Sequence, residues 1–346
     1  MLTYWQQRAV RRVLAAQKQE DAALREIRKA TLEALKKVQE ATERLWANYE
    51  KKYKLDPASA KELLASPAVR EEYELLLSQI AQMPRGAERL QLEARAASGA
   101  YSYRMSQQEA LKAQIEAQAI ILAGKTEQAL KAVMEAVGAS ESVAVREELA
   151  SVGVATSGDT MTLVREIMRN PWNGSNYSSR IWKNAQQLKT ALDETITSGV
   201  MAGRSHRVMA ADISQRMSVS YYQADRLVRT EVNRLQNTVA LNELKDAGID
   251  KYEWVARLDG RTCKLCGPMD GQTFSVDDAV TGKTLPPKHP FCRCVIVRYS
   301  EPDTERTRYA KVGDGIKVPA DMKYTEWAEW VDAGTPDLAT WRKNRQ

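Results

Sequence analysis

The sequence is poor in histidine and phenylalanine and has no long apolar run. Two His and two Phe occur in 346 residues, beside eight Trp and thirteen Tyr. Nucleases of the His-Asn-His type need histidines beyond their zinc ligands, so two histidines argue against that chemistry. No run of about 18 apolar residues is present, which predicts no transmembrane helix. The amino-terminal stretch also lacks the apolar core and cleavage site of a signal peptide, so we expect synthesis in a reducing cytoplasm.

The charge of the chain is modest and unevenly placed. The formal net charge is +6. The segment 1–56 holds thirteen Lys and Arg against eight Asp and Glu, which accounts for +5. This excess suits contact with nucleic acid or with an acidic protein surface. It falls short of the basic stripe of a dedicated DNA reader, and a solvated helix face explains it equally well.

All four cysteines lie in one window that also contains one of the two histidines. Cys263 and Cys266 form C-x2-C, Cys292 and Cys294 form C-x-C, and His289 gives H-x2-C with Cys292. A tetrahedral zinc ion takes four such donors. The window therefore predicts a structural zinc clip over residues 263–294. Cys263, Cys266 and Cys292 are three of the ligands, and the fourth is either His289 or Cys294.

Other uses of the cysteines are less well supported. A thioredoxin-like pair sits at the start of a helix, whereas Gly267 and Pro268 follow this C-x2-C directly. A Cys-His nucleophile would need an orienting group and an oxyanion site, and neither is visible. Two disulfides stay open as an alternative for a chain that reaches an oxidising medium.

The chain begins with helices and ends with a small mixed region. Residues 5–54 contain no Pro or Gly and repeat small apolar residues at heptad spacing. This pattern predicts one long helix packed on its own chain or on a partner. Ser106 and Glu109 form a capping box before another helical segment. Further helices are predicted to about residue 248, with two separate helices over 206–217 and 221–247. Gly248 is placed to end the second of them.

Strand patterns appear only after residue 250. Residues 251–259 alternate, with Tyr252 and Trp254 on one side, and residues 294–300 are β-branched. We therefore expect these two strands to pair. From residue 301 the sequence is polar and predicts at most one short helix. The fold class is α+β, with a mainly helical amino-terminal region before a small zinc-clipped module.

Two polar sites outside the window are weak candidates for chemistry. Arg229, Thr230 and Glu231 form a charged triplet on the helix before the cysteine window, where a catalytic use is a minor alternative to internal ion pairs. His206 stands alone near a helix start and is interpreted as a surface or half-buried residue. No catalytic residue is assigned.

Several motifs occur together in a known order. They are an R-T-E helix (229–231), D-x-R-T-C-x-x-C (259–266), a D-G turn (270–271) and H-P-x-C-R-C (289–294). In this order they closely resemble the minor head (head morphogenesis) proteins of tailed bacteriophages and prophages, the Mu F-like group. The stretches 170–184, 196–205 and 315–330 resemble its Gram-positive-phage branch.

This resemblance implies a non-enzymatic structural protein of the virion. Such proteins associate with the portal inside the procapsid, near the capsid or scaffolding protein and the packaged DNA, and aid head assembly or DNA delivery. It implies three regions, which are a helical region that docks on the portal or capsid (1–160), a Mu F-like module with the zinc clip (161–300) and a polar tail (301–346). Some relatives carry ADP-ribosyltransferase domains after the shared module, and the segment 301–346 is too short for one. An ADP-ribosyltransferase-like or nuclease enzyme, or a free DNA-binding protein, is the alternative.

Overall fold

The computed structural model describes residues 4–52, 61–62, 64–68, 70–97, 105–202, 204–300, 307–319 and 321–344. Helices dominate, and a few short strands follow residue 250, which confirms the α+β class. The helices are α1 (Tyr4–Lys52), α2 (Arg70–Gln82), α3 (Ala87–Ala97), α4 (Gln107–Ala150), α5 (Thr160–Arg169), α6 (Tyr177–Met201), α7 (His206–Asp246), α8 (Tyr324–Asp332) and α9 (Leu338–Lys343). The strands are β1 (Lys251–Val255), β2 (Thr273–Ser275), β3 (Val295–Arg298), β4 (Thr307–Ala310) and β5 (Ile316–Pro319). Among the described residues, no helix is long and apolar enough to cross a membrane.

Compactness divides the chain into two units, each assembled from separate segments. One contains Met1–Ala22, Ala132–Pro171 and Arg226–Gln346, and the other contains Ala23–Lys131 and Trp172–Asp225. Helices α1, α4 and α7 each contribute residues to both units. The division of roles at residues 160 and 300 stays a prediction.

The long first helix is confirmed up to Lys52, and its last two predicted residues lie outside the described part. In the second unit its apolar seam packs within the chain. Small and branched side chains of α1 pack against buried residues of α4 and α6. The α1 residues are Ala30, Ala34, Val38, Ala41 and Leu45, the α4 residues are Leu111 and Ile115, and the α6 residues are Leu188 and Leu192. The alanines allow the helices to approach closely, so this part of the seam is interpreted as internal core.

Helix α4 starts at the predicted capping box. The Ser106 amide donates to the Glu109 carboxylate at 2.8 Å, and the Glu109 amide donates to Ser106 Oγ at 3.2 Å. The helix continues through Gly124, where a Cβ would lie 2.7 Å from Cγ of Pro84. This glycine therefore allows a close approach and does not break the helix.

Helix α7 is one continuous element, so the prediction of two helices was wrong. It runs 41 residues from His206 to Asp246. It ends as expected at Gly248, which has φ +68° and whose amide donates to Lys245 O at 3.0 Å. The residues between the two predicted segments are small and β-branched, which are weak helix formers. Buried neighbours such as Met217 and Ala224 hold them in the helix.

A three-stranded antiparallel sheet with the order β2-β1-β3 follows α7. Tyr252 pairs with Arg298 and Trp254 with Ile296, which confirms the predicted pairing of the two strands. Tyr252 and Trp254 are both fully buried. The sheet places the start of β3, and with it the last two cysteines, beside β1.

The carboxyl-terminal part has more structure than the sequence predicted. Strands β4 and β5 form an antiparallel pair, and α8 buries Trp327 and Trp330 against Leu258, Ala310 and Val318. The many polar residues of this segment obscured the pattern of the few apolar residues that reach the core. The expectation of at most one short helix was wrong for residues 307–344.

Candidate metal centre

Two tight turns present the predicted metal ligands. In the first, the amides of Cys266 and Gly267 donate to Cys263 O at 3.1 and 2.9 Å. In the second, the Cys292 amide donates to His289 O at 3.2 Å. In each turn two residues separate the two donors, the arrangement that lets one chain segment offer two ligands to a single ion.

The structure brings all five predicted donors together as two groups of three that share Cys266. In one group, His289 Nε2 lies 3.1 Å from Cys263 Sγ and 3.2 Å from Cys266 Sγ. In the other, Cys266 Sγ lies 3.8 Å from Cys292 Sγ, and Cys294 is the third member. Cys266, Cys292 and Cys294 are buried, whereas Cys263 and His289 are half-buried.

The imidazole of His289 is oriented as a metal ligand would be. Its Nδ1 lies 2.6 Å from Pro290 O. A carbonyl oxygen only accepts, so Nδ1 carries the proton and donates. In the neutral ring, Nε2 is then left with its lone pair towards the two sulfurs of the first turn. A backbone carbonyl that fixes the tautomer in this way is a common companion of a ligating histidine.

The chemistry of the donor set suits one tetrahedral ion, although the five donors form two groups of three and not one group of four. A tetrahedron with zinc–sulfur bonds of about 2.3 Å separates two of its sulfurs by about 3.8 Å. The sulfurs of Cys266 and Cys292 have this separation. Four of the five donors would satisfy the ion, which leaves His289 and Cys294 as the two choices for the fourth position.

The thiols of the cluster are electrostatically coupled. All four cysteines are free. Hydrogen bonds with Cys266 and Cys294 lower the pKa of Cys292. The hydrogen bond with Cys292 raises the pKa of Cys266, and hydrogen bonds with Cys266 and Cys292 raise the pKa of Cys294. These hydrogen bonds favour the thiolate form at Cys292. A thiolate is the form of cysteine that binds a metal ion.

Helix α7 holds the second turn in place through polar side chains on its buried face. The side-chain amides of Asn233 and Asn237 both donate to Cys294 O, at 3.0 and 3.2 Å. Asn237 Oδ1 accepts from the Ile296 amide at 3.0 Å, and Thr230 Oγ1 accepts from the Phe291 amide at 3.3 Å. Sequence reasoning missed these two asparagines. The available signal was amide side chains within the apolar face of a helix, where an unbonded amide would be costly.

An ion pair joins the two cysteine motifs directly. Arg293 Nη1 and Nη2 lie 2.7 and 2.6 Å from the two carboxylate oxygens of Asp259. Burial opposes ionisation of Asp259, but the hydrogen bonds and charge of Arg293 lower the pKa of that carboxyl below its ordinary value. The D-x-R-T-C and C-R-C motifs are thus linked by a two-point contact as well as by their cysteines.

The charged triplet on α7 is part of the packing. Glu231 is fully buried, and its carboxylate accepts from Arg234 Nε at 3.1 Å. Arg229 donates to Glu20 and Asp21 on α1, at 2.9 and 2.7 Å. A carboxylate with no exposed surface cannot reach a substrate. We therefore interpret Glu231 as part of the packing of α7, where it binds Arg234.

The second histidine has a different setting. His206 is the first residue of α7, and its Nε2 lies 3.5 Å from a carboxylate oxygen of Glu43. It is half-buried, as the sequence predicted. Neither group of candidate metal donors includes it.

Comparisons with known proteins agree with the motifs. The family described as Phage Mu protein F like protein matches residues 190–297, which span the end of α6, α7 and the cysteine window. Minor head protein GP7 of Bacillus phage SPP1 is 28% identical over 181 residues, 48% of this chain and 58% of that protein. An NAD(+)--arginine ADP-ribosyltransferase of Enterococcus faecalis, EFV, is 26% identical over 178 residues, 47% of this chain and 36% of that protein. No solved structure matches significantly.

These relatives are matched only in part. The chain spans between a third and three fifths of their length. The match to the family nevertheless includes the R-T-E helix, both cysteine motifs and the D-G turn. Residues 190–297 match the phage Mu protein F-like family, and the predicted resemblance to phage minor head proteins is confirmed.

Proposed function

We propose that this protein is a structural minor head protein of a tailed phage or prophage and carries out no catalysis. It would reside in the capsid near the portal vertex and aid head assembly, packaging or ejection of the genome. The match to the family and the minor head relative support this proposal.

One observation carries the proposal: the polar residues of the family's motifs bind other residues of this chain. Asp259 binds Arg293, Thr230 receives the Phe291 amide, and Glu231 binds Arg234 inside the core. These polar groups hold one element against another. An active site would instead direct them towards a space that a substrate can enter.

The proposed cofactor is one zinc ion at the cysteine window. Cys263, Cys266 and Cys292 would bind it together with either His289 or Cys294. The ion would join the turn before β2 to the start of β3 in a region with few large apolar side chains, as structural zinc sites do. It would supply stability and no chemistry.

The named activity of the Enterococcus faecalis relative makes an enzyme the alternative. The match covers 36% of that protein, so its activity is not transferred to this chain. An assay of arginine-directed ADP-ribosylation tests the point. We expect wild type and Glu231→Ala to give the same background signal. Turnover that is lost in a folded Glu231→Ala variant would overturn the structural proposal.

The proposed partners are the portal protein and, beside it, the major capsid or scaffolding protein. The helices within the region 1–160 would form the contact. Capture experiments need the whole chain, since each compact unit combines segments from both sides of residue 160. Leu32 on α1 is 56% exposed and Val280 in the cysteine window is 48% exposed. We expect Leu32→Asp to weaken portal capture and Val280→Asp to leave it unchanged. The opposite pattern would assign the contact to the module.

Contact with packaged DNA would be independent of sequence. Its basis is the net charge of +6, most of which lies in the segment 1–56. Binding to a long duplex should weaken steeply as salt rises. Tight binding at high salt, or a preference for one duplex sequence, would instead favour the alternative of a dedicated DNA-binding protein.

A further inference from the structure

Two adjoining cavities lie beside the loop that joins β1 to the first cysteine turn. Their volumes are about 170 Å³ and about 70 Å³, and Val13 and Arg293 line both. The two linings contain more cations than carboxylates, and all of these residues lie within one compact unit. The cations are Arg229, Arg257, Arg261, Arg293, Arg308 and Lys311, and the carboxylates are Glu20, Asp21 and Asp259. We call this surface the basic groove.

Three arginines of the basic groove are neutralised within the chain. Arg229 binds Glu20 and Asp21, Arg293 binds Asp259, and Arg308 binds Asp270. Arg293 takes both oxygens of Asp259, whereas Arg257 Nε lies 3.7 Å from that carboxylate. Burial, followed by the charge of Arg293, lowers the pKa of Arg257 against the opposing charge of Asp259. The positive charge of Arg257 is therefore only partly offset.

The other two cations, Arg261 and Lys311, are free. Both side chains are exposed, and neither makes a hydrogen bond or an ion pair within the described part of the chain. Their backbones are nevertheless fixed. The Arg261 amide donates to Asp259 Oδ1 at 3.0 Å, and the Lys311 amide donates to Leu258 O at 2.8 Å. Binding an anion would thus order only the two side chains, which keeps its entropic cost small.

These two free cations suit an extended anion. Arg261 lines the larger cavity and Lys311 lines the smaller one, so a single small anion would meet one of them. Duplex DNA carries one negative charge per about 1.7 Å of its axis, a denser row of charge than a folded protein surface offers. Contacts from Arg and Lys to phosphates fix the position of a protein on a duplex and carry no sequence information.

The exposed cations of α1 are arranged differently. Three of them lie four residues from a carboxylate on the same helix, in the pairs Asp21 with Arg25, Lys29 with Glu33 and Lys36 with Glu40. Residues four apart are neighbours on a helix surface, so each of these cations has an opposite charge beside it. The charge excess of the segment 1–56 is therefore interspersed with carboxylates.

We infer that the basic groove is the surface that binds the phosphate backbone of duplex DNA. Arg261 and Lys311 would each bind a phosphate. Arg257 would add attraction without a direct contact. This inference rests on the proposed contact with packaged DNA, and it places that contact at the groove and not along the segment 1–56.

Fluorescence anisotropy of the full chain with a fluorescein-labelled duplex of mixed sequence, measured over a series of salt concentrations, tests the inference. The double variant Arg261→Gln/Lys311→Gln should flatten the slope of log affinity against log salt by about two, because each phosphate contact contributes about 0.9. Lys264→Gln/Lys317→Gln is the matched control. It removes the same charge from exposed residues of the same turn and hairpin, which line neither cavity. Its slope should equal that of wild type.

Equal flattening in the two double variants, or an unchanged slope in Arg261→Gln/Lys311→Gln, would overturn the inference and leave the proposed DNA contact standing. A wild-type chain that does not bind the duplex at low salt would overturn both. Poly-glutamate at the same concentration of charge should displace the duplex less well than unlabelled duplex does. Equal displacement would assign the groove to an acidic protein surface and overturn the inference. Circular dichroism and thermal melting of each variant separate lost binding from lost folding.

Discussion

The guanidinium of Arg308 and the carboxylate of Asp270 form a buried two-point contact. Nη1 lies 2.8 Å from Oδ2, and Nη2 lies 3.3 Å from Oδ1. Asp270 also accepts from the amides of Ala256 and Tyr324, and Arg308 donates to the carbonyls of Ala256 and Met322. Asp270 is in the D-G turn of the cysteine window and Arg308 is in β4. The pair therefore attaches the carboxyl-terminal elements to the module.

The first prediction concerns this pair. Asp270→Ala should lower the free energy of unfolding by about 3–5 kcal/mol, because Arg308 is left as a buried charge without its partner. Denaturation by urea, followed by tryptophan fluorescence, measures the change. Trp327 and Trp330 pack against the hairpin of β4 and β5, so their fluorescence should change when this region unfolds.

Asp277→Ala is the control for that variant. Asp277 pairs with Lys245 at 3.0 Å, but its side chain is 80% exposed. Solvent screens such a pair, so the free energy of unfolding should hardly change. If the two variants lost the same stability, the buried contact would not be what attaches the carboxyl-terminal elements.

The second prediction concerns the metal. Purified protein should contain about one zinc per chain by elemental analysis. Cys266→Ser should lose most of it, because Cys266 belongs to both donor groups. His289→Ala and Cys294→Ser each leave four donors, and the variant with the lower zinc content identifies the fourth ligand. Metal-free protein whose cysteines react with thiol reagents only after reduction would establish disulfides instead.

The third prediction concerns a buried cluster in which Arg12 binds two carboxylates. Its Nη1 lies 2.9 Å from Glu148, and its Nε lies 3.2 Å from Glu141. Burial raises the pKa of Glu148 from 4.5 to about 7, against the opposing charge of Arg12. Burial also raises the pKa of Glu141. The folded state then binds more protons than the unfolded state between pH 4.5 and about 7. This contribution to stability is therefore lost as the pH rises through that window.

Glu148→Gln should remove the part of that dependence that Glu148 contributes. Relative to wild type, the variant should gain up to about 3 kcal/mol of unfolding free energy as the pH rises through the same window. Urea denaturation at a series of pH values measures the difference. Glu147→Gln is the matched control, since the side chain of Glu147 is 66% exposed, and its difference from wild type should stay flat. A flat Glu148→Gln difference would show that Glu148 is ionised throughout.

Local patterns predicted much of this fold correctly. Continuous helical sequence without Pro or Gly predicted α1, and alternation predicted β1 and β3 with Tyr252 and Trp254 on the buried side. The spacing of the donors in the cysteine window predicted that these donors meet. For the helix and the strands the signal lies within a few neighbouring residues. For the cysteine window it lies in the residue types, because clustered Cys and His most often bind a metal ion.

Features that depend on distant partners were not predictable in this way. The pairing of Arg308 with Asp270 joins residues 38 positions apart. The hairpin of β4 and β5 packs against Leu258 and against tryptophans of α8. Its own sequence is polar and gave no strand signal, because the residues that cover it come from other segments.

The last prediction concerns the close approach of Gly267 and Tyr324. A Cβ at Gly267 would overlap ring atoms of Tyr324. The ring has little freedom to withdraw, because its hydroxyl donates to Thr262 O at 2.9 Å and it packs against Trp327 with centroids 5.3 Å apart. Gly267→Ala should therefore lower the free energy of unfolding by about 1–3 kcal/mol, the usual cost of overpacking.

Gly260→Ala is the matched control for this substitution, because a Cβ there meets nothing within 4 Å. Both changes remove one glycine from the same loop, so their effects on the unfolded chain are alike and cancel in the comparison. A larger loss in Gly267→Ala then measures the steric contact alone. Zinc content separates two consequences of that loss. If the ring of Tyr324 moves and the Cys263–Cys266 turn stays, the zinc content should equal that of wild type. If the turn moves instead, the zinc content should fall together with stability, because Gly267 directly follows Cys266, the candidate donor that belongs to both groups.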